Sequence, residues 1–162
     1  MSHPKYKTHI DLGQQPRSEM VDLLNQQLAD TFDLFSQTKQ AHWNVKGADF
    51  YQLHKLFDEL AEQTEEYVDL IAERATTLGG TALGTVRMSA AASRLPECPE
   101  QLGGSKGAID VLVARYANLA KSTRAAVAIS DEAGDVDTSD MFTEISRGVD
   151  KALWFLEAHV QS

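Results

Sequence analysis

The apolar residues of this chain recur at intervals of three or four positions along most of its length. Such spacing places them on one face of an α-helix and predicts amphipathic helices. Four long helices are predicted: helix A over residues 18–44, helix B over 49–77, helix C from about residue 105, and helix D after an acidic loop over 131–140. No stretch alternates apolar and polar residues in the way that a half-buried β-strand does. The pattern therefore predicts an all-α protein.

The segments between the helices indicate how they are connected. A short turn at Gly47 separates helices A and B, and the pair Gly79-Gly80 ends helix B. The connection from there to residue 104 is unusually long for a compact domain, and a short helical turn is predicted within it over Ser89 to Leu95. Four long helices with one long B–C crossover predict a ferritin-like four-helix bundle.

Composition limits the class of protein. The chain has 162 residues, of which 43% are hydrophobic and 24% charged, as in a soluble globular domain. No apolar run approaches the ~18 residues of a membrane span, and the N-terminus lacks the apolar core of a signal peptide. Cys98 is the single cysteine, which favours a reducing, cytoplasmic setting and an incidental loop thiol. The net charge of −9 argues against DNA contacting the body of the protein and suits cations as partners.

The N-terminal segment is only faintly basic. Residues 1–15 lack helical periodicity and are predicted to form a flexible tail or a segment laid over a neighbour, with the bundle domain over residues 16–162. Lys5, Lys7 and Arg17 stand against two acidic residues in the first twenty, a net charge of 3 − 2 = +1. This balance indicates a docking arm more than a strong DNA-binding arm.

Two pairs of potential metal ligands lie on helix B. His54 and Asp58 are four residues apart, as are Asp69 and Glu73, so each pair shares a face and can reach one ion. The midpoints of the pairs are fifteen residues apart, or roughly 22 Å along a helix. One subunit therefore cannot bring both pairs to one ion. Each pair alone also has a simpler interpretation, as surface charge or as an ion pair between Glu73 and Arg74.

One arrangement of two copies brings the pairs together. If helix B packs antiparallel on its own copy about a two-fold axis near residues 63–64, each His54/Asp58 pair meets the partner's Asp69/Glu73 pair. His42 joins this site because a hairpin centred near residue 48 places it beside His54. Two imidazoles and three carboxylates without a thiolate suit Fe(II), Mn(II) or Zn(II). Because metals bind neutral imidazole, affinity is predicted to fall below about pH 6.5.

The same residues carry a resemblance to a known family. The run H-W-x-V-x-G-x-x-x-x-x-L-H-x-x-x-D from His42 to Asp58 and the run V-D-L-I-A-E-R-x-x-x-L-G-G from Val68 to Gly80 resemble the two signatures of the Dps miniferritins. With the helix layout, the resemblance covers about residues 18–160. The Glu-x-x-His motif of ferritins with a di-iron site inside the bundle is absent from the sequence.

The resemblance implies a function as well as a fold. It implies a hollow dodecameric shell that oxidises Fe(II), preferentially with hydrogen peroxide and otherwise with dioxygen, and stores ferric iron, which protects DNA from hydroxyl radicals. It also implies that His42, His54 and Asp58 of one subunit face Asp69 and Glu73 of the two-fold mate. Each such site would hold at most two iron ions, with Zn or Mn as alternative occupants.

The resemblance leaves several roles open. Asp58 and Glu73 are the leading carboxylate ligands, whereas Asp69 either binds metal or orients a histidine. Trp43 is implied to pass or quench oxidising equivalents, and its alternative role is packing. The roles of Glu62 and Glu65, between the two sites on helix B, stay open.

The acidic loop before helix D has two interpretations. In the family, acidic residues at this place line three-fold pores that draw Fe(II) inward, which would assign that role to Asp131, Asp135, Asp137 and Asp140. The alternative is that they are solvated or cap helices, with Asp137 and Asp140 as caps of helix D.

Two other functions compete with iron oxidation. A nucleoid protein that compacts DNA would use a basic tail, for which this chain offers Lys5, Lys7 and Arg17. An adhesive shell at the cell surface would require export, and no export signal is recognisable.

Overall fold

The computed structural model describes residues 6–161 and contains α-helices without strands over that range. The helices are α1 (Gln14–Asn44), α2 (Phe50–Thr77), α3 (Val86–Ala92), α4 (Gly104–Glu132) and α5 (Val136–Ala158). The predicted all-α class, the four long helices and the short crossover helix are confirmed. The crossover helix begins three residues before its predicted position. No helix in residues 6–161 is long and apolar enough to span a membrane.

The four long helices pack as two hairpins. Helices α1 and α2 make the most extensive contact, helices α4 and α5 the next, and α1 also packs on α4. Each helix contributes its apolar face to one continuous core. The largest fully buried side chains include Met20, Leu24, Phe57, Ile71, Leu112, Tyr116 and Phe142. Burial of these apolar stripes stabilises the packing of the helices.

The N-terminal segment lies on the end of α2. Helix α1 begins at Gln14, four residues before the predicted start, because Pro16 fits within a first helical turn whose N–H groups have no intrahelical partner. Before it, the Tyr6 N–H donates to Gly79 O at 3.1 Å. The side chain of Arg17 donates from Nε to Leu12 O at 3.1 Å. Residues 1–5 of the predicted tail lie outside the described residues.

The two glycines after α2 permit close packing. Gly79 has φ +84, and a Cβ atom there would lie 2.5 Å from Tyr6 O. A Cβ atom at Gly80 would lie 2.5 Å from a methyl group of Val21. A side chain at Gly79 would therefore displace the N-terminal segment, and one at Gly80 would displace Val21 of α1.

Polar side chains of α1 anchor the crossover. Asp30 is buried and accepts hydrogen bonds from the Arg94 backbone N–H at 2.7 Å and from its guanidinium. Gln37 donates to Pro96 O at 3.0 Å. Cys98 lies half-buried in this segment, and burial raises the pKa of its thiol, which keeps it protonated at neutral pH. The crossover is thus fixed along α1 by hydrogen bonds within the subunit.

Candidate metal centre

His42 and His54 face each other across the α1–α2 hairpin. His42 Nδ1 lies 2.7 Å from His54 O, and His54 Nδ1 lies 2.9 Å from His42 O. The two rings stack with centroids 3.8 Å apart. A carbonyl oxygen can only accept, so each Nδ1 carries the proton and donates it. In the neutral form, each ring therefore keeps its lone pair on Nε2, the form in which imidazole binds a metal ion.

Asp58 lies one helical turn after His54 and approaches His42. Its Oδ1 atom is 3.7 Å from His42 Nε2 and accepts a hydrogen bond from Lys39 Nζ at 2.7 Å. The Lys39 hydrogen bond is the largest cause that lowers the pKa of Asp58, and it acts against desolvation. The charge of Lys39 lowers this pKa further, as do those of His42 and His54 when their rings are protonated. The carboxylate is therefore ionised at neutral pH. The structure brings together the three predicted ligands of one half-site.

Two aromatic residues lie next to the histidine pair, one in contact with His54 and one beside His42 in the sequence. Phe50 stacks on His54 with centroids 5.1 Å apart, and His42 is buried. Trp43 is 65% exposed, so it does not pack in the core of its own subunit. The Lys39 ammonium lies 5.9 Å from the centroid of the Trp43 ring, within the range of a cation–π contact.

Asp69 and Glu73 lie on the exposed surface of α2, far along the same helix. Helix α2 is continuous over Phe50–Thr77, so its two ligand pairs are separated by roughly 22 Å. The guanidinium of Arg74 binds Asp135 and Thr138. These two partners, and not an ion pair with Glu73, account for the position of the Arg74 side chain. Asp69 borders an open cleft on the surface between α1 and α2. The cleft is lined by Phe32, Phe35, Glu62, Glu65, Glu66, Val68 and Asp69.

A single subunit does not assemble a complete metal site. Within residues 6–161, no group of three or more His, Cys, Asp or Glu side chains is placed to hold one ion. The interior of the bundle centres instead on Tyr116, whose hydroxyl lies 3.3 Å from Thr38 Oγ1 and 3.2 Å from Thr64 Oγ1. If the five predicted ligands share an ion, two subunits must supply them.

The acidic residues near residue 135 divide into two kinds. Asp135 is buried, caps α5 by accepting from Thr138 N–H at 3.1 Å, and binds Arg74 at 2.6 Å. The predicted caps Asp137 and Asp140 therefore do not have that role, which Asp135 takes. Asp131 and Asp137 are exposed at the ends of α4 and α5, as is Asp140 one turn further on.

Lys39 is a functional candidate that the sequence patterns did not identify. It lies three residues before His42 on α1 and thus shares its face. That spacing was available from the sequence, but its contact with Asp58 depends on how α1 packs against α2. Lysine is also not a usual metal ligand, so a search for ligand types passes over it.

Comparisons with known proteins identify the family and agree with the fold. A family model described as a ferritin-like domain matches residues 21–162. A "DNA protection during starvation protein" of Agrobacterium fabrum is 44% identical over 156 residues, which cover 96% of each chain. One of the same name from Brevibacillus brevis is 33% identical over 86% of this chain and 93% of its own. The solved structure of DpsC from Streptomyces coelicolor has a TM-score of 0.93 and 32% identity, covering 97% of this chain and 92% of its own.

Proposed function

The chain belongs to the Dps family of miniferritins, and we propose that it oxidises Fe(II) with hydrogen peroxide at sites between subunits and stores the ferric product. The family relates it to iron-dependent protection. The activity, the oxidant and the ligand assignment are our proposal, and iron is the substrate of the reaction.

The observation that supports this proposal is the reciprocal pairing of His42 and His54. Both Nδ1 protons are held by carbonyl oxygens, so both Nε2 lone pairs remain free beside the ionised Asp58. Nitrogen and carboxylate ligands suit Fe(II), and an ion bound by few protein ligands keeps positions open for an oxidant. Zn(II) and Mn(II) suit the same ligands and would compete with iron.

The proposed reaction transfers two electrons within one site. Each of two Fe(II) ions loses one electron, and peroxide accepts both as its O–O bond breaks. Two protons complete the products, so that 2 Fe(II) + H2O2 + 2 H+ gives 2 Fe(III) + 2 H2O. Because peroxide is reduced by both electrons in the same place, no hydroxyl radical is released. The protein contributes neutral imidazoles and anionic carboxylates that hold the ions side by side.

The proposal requires assembly of subunits. Two copies related by a two-fold axis would place Asp69 and Glu73 of each near His42, His54 and Asp58 of the other. Six such dimers would form the hollow dodecamer that the family resemblance implies. Asp131, Asp137 and Asp140 keep exposed carboxylates and are proposed to attract Fe(II) at pores. Asp135 is left out of this proposal because it is buried and bonded to Arg74 and Thr138. Sedimentation as a stable monomer would contradict this part.

The decisive experiment removes both imidazoles. The double variant His42→Ala/His54→Ala is expected to oxidise Fe(II) with peroxide at least about 100-fold more slowly than the wild type, because two ligands are lost. The matched control is His9→Ala/His159→Ala, which removes two exposed histidines away from the hairpin. Equal rates in the wild type and the first variant would end the ferroxidase proposal.

DNA binding is the second function to be tested, because the Agrobacterium relative is called a DNA protection protein. Two observations argue against it: the net charge is −9, and the Tyr6 N–H is bonded to Gly79 O, which ties part of the weakly basic tail to α2. A gel-shift at low salt separates the cases. Retardation by the intact protein, but not by one lacking residues 1–15, would establish DNA binding through the tail.

A further inference from the structure

The contact between Lys39 and Asp58 occupies a predicted metal ligand. Lys39 Nζ lies 2.7 Å from Asp58 Oδ1, and the same oxygen is 3.7 Å from His42 Nε2. A metal ion bound jointly by Asp58 and His42 would lie beside that oxygen, close to the ammonium. The lysine charge and the ion therefore compete for one carboxylate, an inference that rests on the proposed function.

The ion pair between Lys39 and Asp58 is weak enough for a metal ion to displace the lysine. The side chains of Lys39 and Asp58 are 24% and 35% exposed, and partly exposed lysine–carboxylate pairs are weak and exchange readily. A divalent ion carries twice the charge of the ammonium and would also gain Asp69 and Glu73 from a partner subunit. An ion that reaches only one half-site lacks those carboxylates. Displacement of Lys39 is thus favoured when both subunits contribute ligands.

The displaced ammonium has an alternative partner nearby. Trp43 lies four residues further along α1 on the same face, and its ring centroid is 5.9 Å from Lys39 Nζ. The face of an indole ring attracts a cation, most strongly when the cation has lost other partners. We propose that Lys39 is a place-holding cation, which neutralises Asp58 before iron arrives, is displaced by the divalent ion and moves towards Trp43.

In this role Lys39 is a positioning residue that limits the affinity of the site for a divalent ion. Replacement with methionine keeps much of the apolar stem but removes the charge, so a divalent ion no longer competes for Asp58 or meets a neighbouring ammonium. The dissociation constant is expected to fall about fivefold, the scale of a partly exposed ion pair. Lys39→Arg retains the positive charge and is expected to stay within about twofold of the wild type.

The test uses Zn(II) as a redox-inert probe on the assembled protein. Trp154→Phe serves as the background, since the chain has 2 tryptophans and Trp43 then reports alone. Calorimetry gives the dissociation constant, and Trp43 emission reports movement of the ammonium. The expected result is about fivefold tighter binding by Lys39→Met and a smaller emission change on saturation than in the background protein. Lys55→Met, which removes an exposed lysine beside His54, is the matched control and is expected to change neither.

Outcomes that overturn the inference are distinct from failure of the ferroxidase proposal. Unchanged or weaker Zn(II) binding by Lys39→Met would end it, as would equal tightening by Lys55→Met. Lys39→Gln repeats the test if the methionine variant does not assemble. Tighter Zn(II) binding in a protein that does not oxidise Fe(II) would support the place-holding role and reject the ferroxidase. Normal Fe(II) oxidation, together with equal Zn(II) dissociation constants in Lys39→Met and the background protein, would support the ferroxidase and reject the place-holding role.

Discussion

Two aspartates of this protein are each paired with a cation across neighbouring segments, and they differ in how completely they are paired. Asp30 is 2% exposed and accepts three hydrogen bonds from Arg94, including its backbone N–H. Asp58 is 35% exposed and accepts a hydrogen bond from Lys39 on Oδ1. The first pair fixes the crossover to α1, and the second lies where two histidines leave their Nε2 atoms free.

The difference separates structural charge from functional charge. A buried carboxylate with several charge-assisted hydrogen bonds is stabilised only in the folded chain, and losing its partners leaves an uncompensated charge. An exposed carboxylate with one lysine partner has spare lone pairs and is available to another ligand. An aspartate whose oxygens still have free lone pairs, such as Asp58, is the candidate for the metal site. An aspartate with several hydrogen-bond partners, such as Asp30, has a structural role.

The largest expected effect comes from breaking the buried pair. Asp30→Asn keeps the shape of the side chain but loses its charge, and we expect the free energy of unfolding to fall by about 2–3 kcal/mol. Urea denaturation at matched subunit concentration measures this. The control is Asp150→Asn, which breaks the exposed pair of Asp150 with Arg124 and is expected to cost below about 1 kcal/mol. Equal midpoints for the two variants would remove the distinction between buried and exposed pairs.

The reverse pattern is expected at the exposed pair. Asp58→Asn should weaken Fe(II) binding and slow its oxidation by roughly 10- to 100-fold, with little change in the unfolding midpoint, because a ligand is lost from the surface. Asp110→Asn breaks another lysine–aspartate pair, with Lys106, and serves as the matched control for oxidation rate. A large loss of stability in Asp58→Asn without a loss of iron oxidation would show that this pair is structural.

Sequence periodicity was sufficient for the helices and for the relation of His42 to His54, because both depend on local spacing and on one short turn. Other features depend on how distant segments pack. The burial of Asp135 follows from Arg74, which is 61 positions away, and the contact of Lys39 with Asp58 follows from the packing of α1 on α2. Counting residues cannot reveal either contact. The meeting of the two ligand pairs depends on a second copy and stays a prediction.

A smaller effect distinguishes the two kinds of acidic residue near the junction of α4 and α5. Asp135→Ala removes the cap of α5 and the partner of Arg74, and is expected to cost about 1–2 kcal/mol of stability. Asp137 is 86% exposed, so Asp137→Ala should cost less but slow Fe(II) uptake roughly two- to threefold at low ionic strength. Unfolding midpoints and stopped-flow uptake measure the two effects. Slower Fe(II) uptake by Asp135→Ala but not by Asp137→Ala, with unchanged stability, would indicate that Asp135 lines the pore.

The smallest effect concerns the acid titration of Asp58. Its pKa in the folded protein lies below the ordinary 3.8, chiefly because Lys39 donates a hydrogen bond to the ionised form. A lowered pKa means that the pair stabilises the fold above the ordinary pKa and that this contribution disappears as pH falls through the folded value. Lys39→Met removes the largest cause, so the pKa should rise and protonation should begin at higher pH. Infrared difference titration of the carboxylate band, with Asp58→Asn as reference, measures the shift. An identical titration midpoint in Lys39→Met and the wild type would mean that the Lys39 ammonium does not bind the Asp58 carboxylate when the protein is in solution.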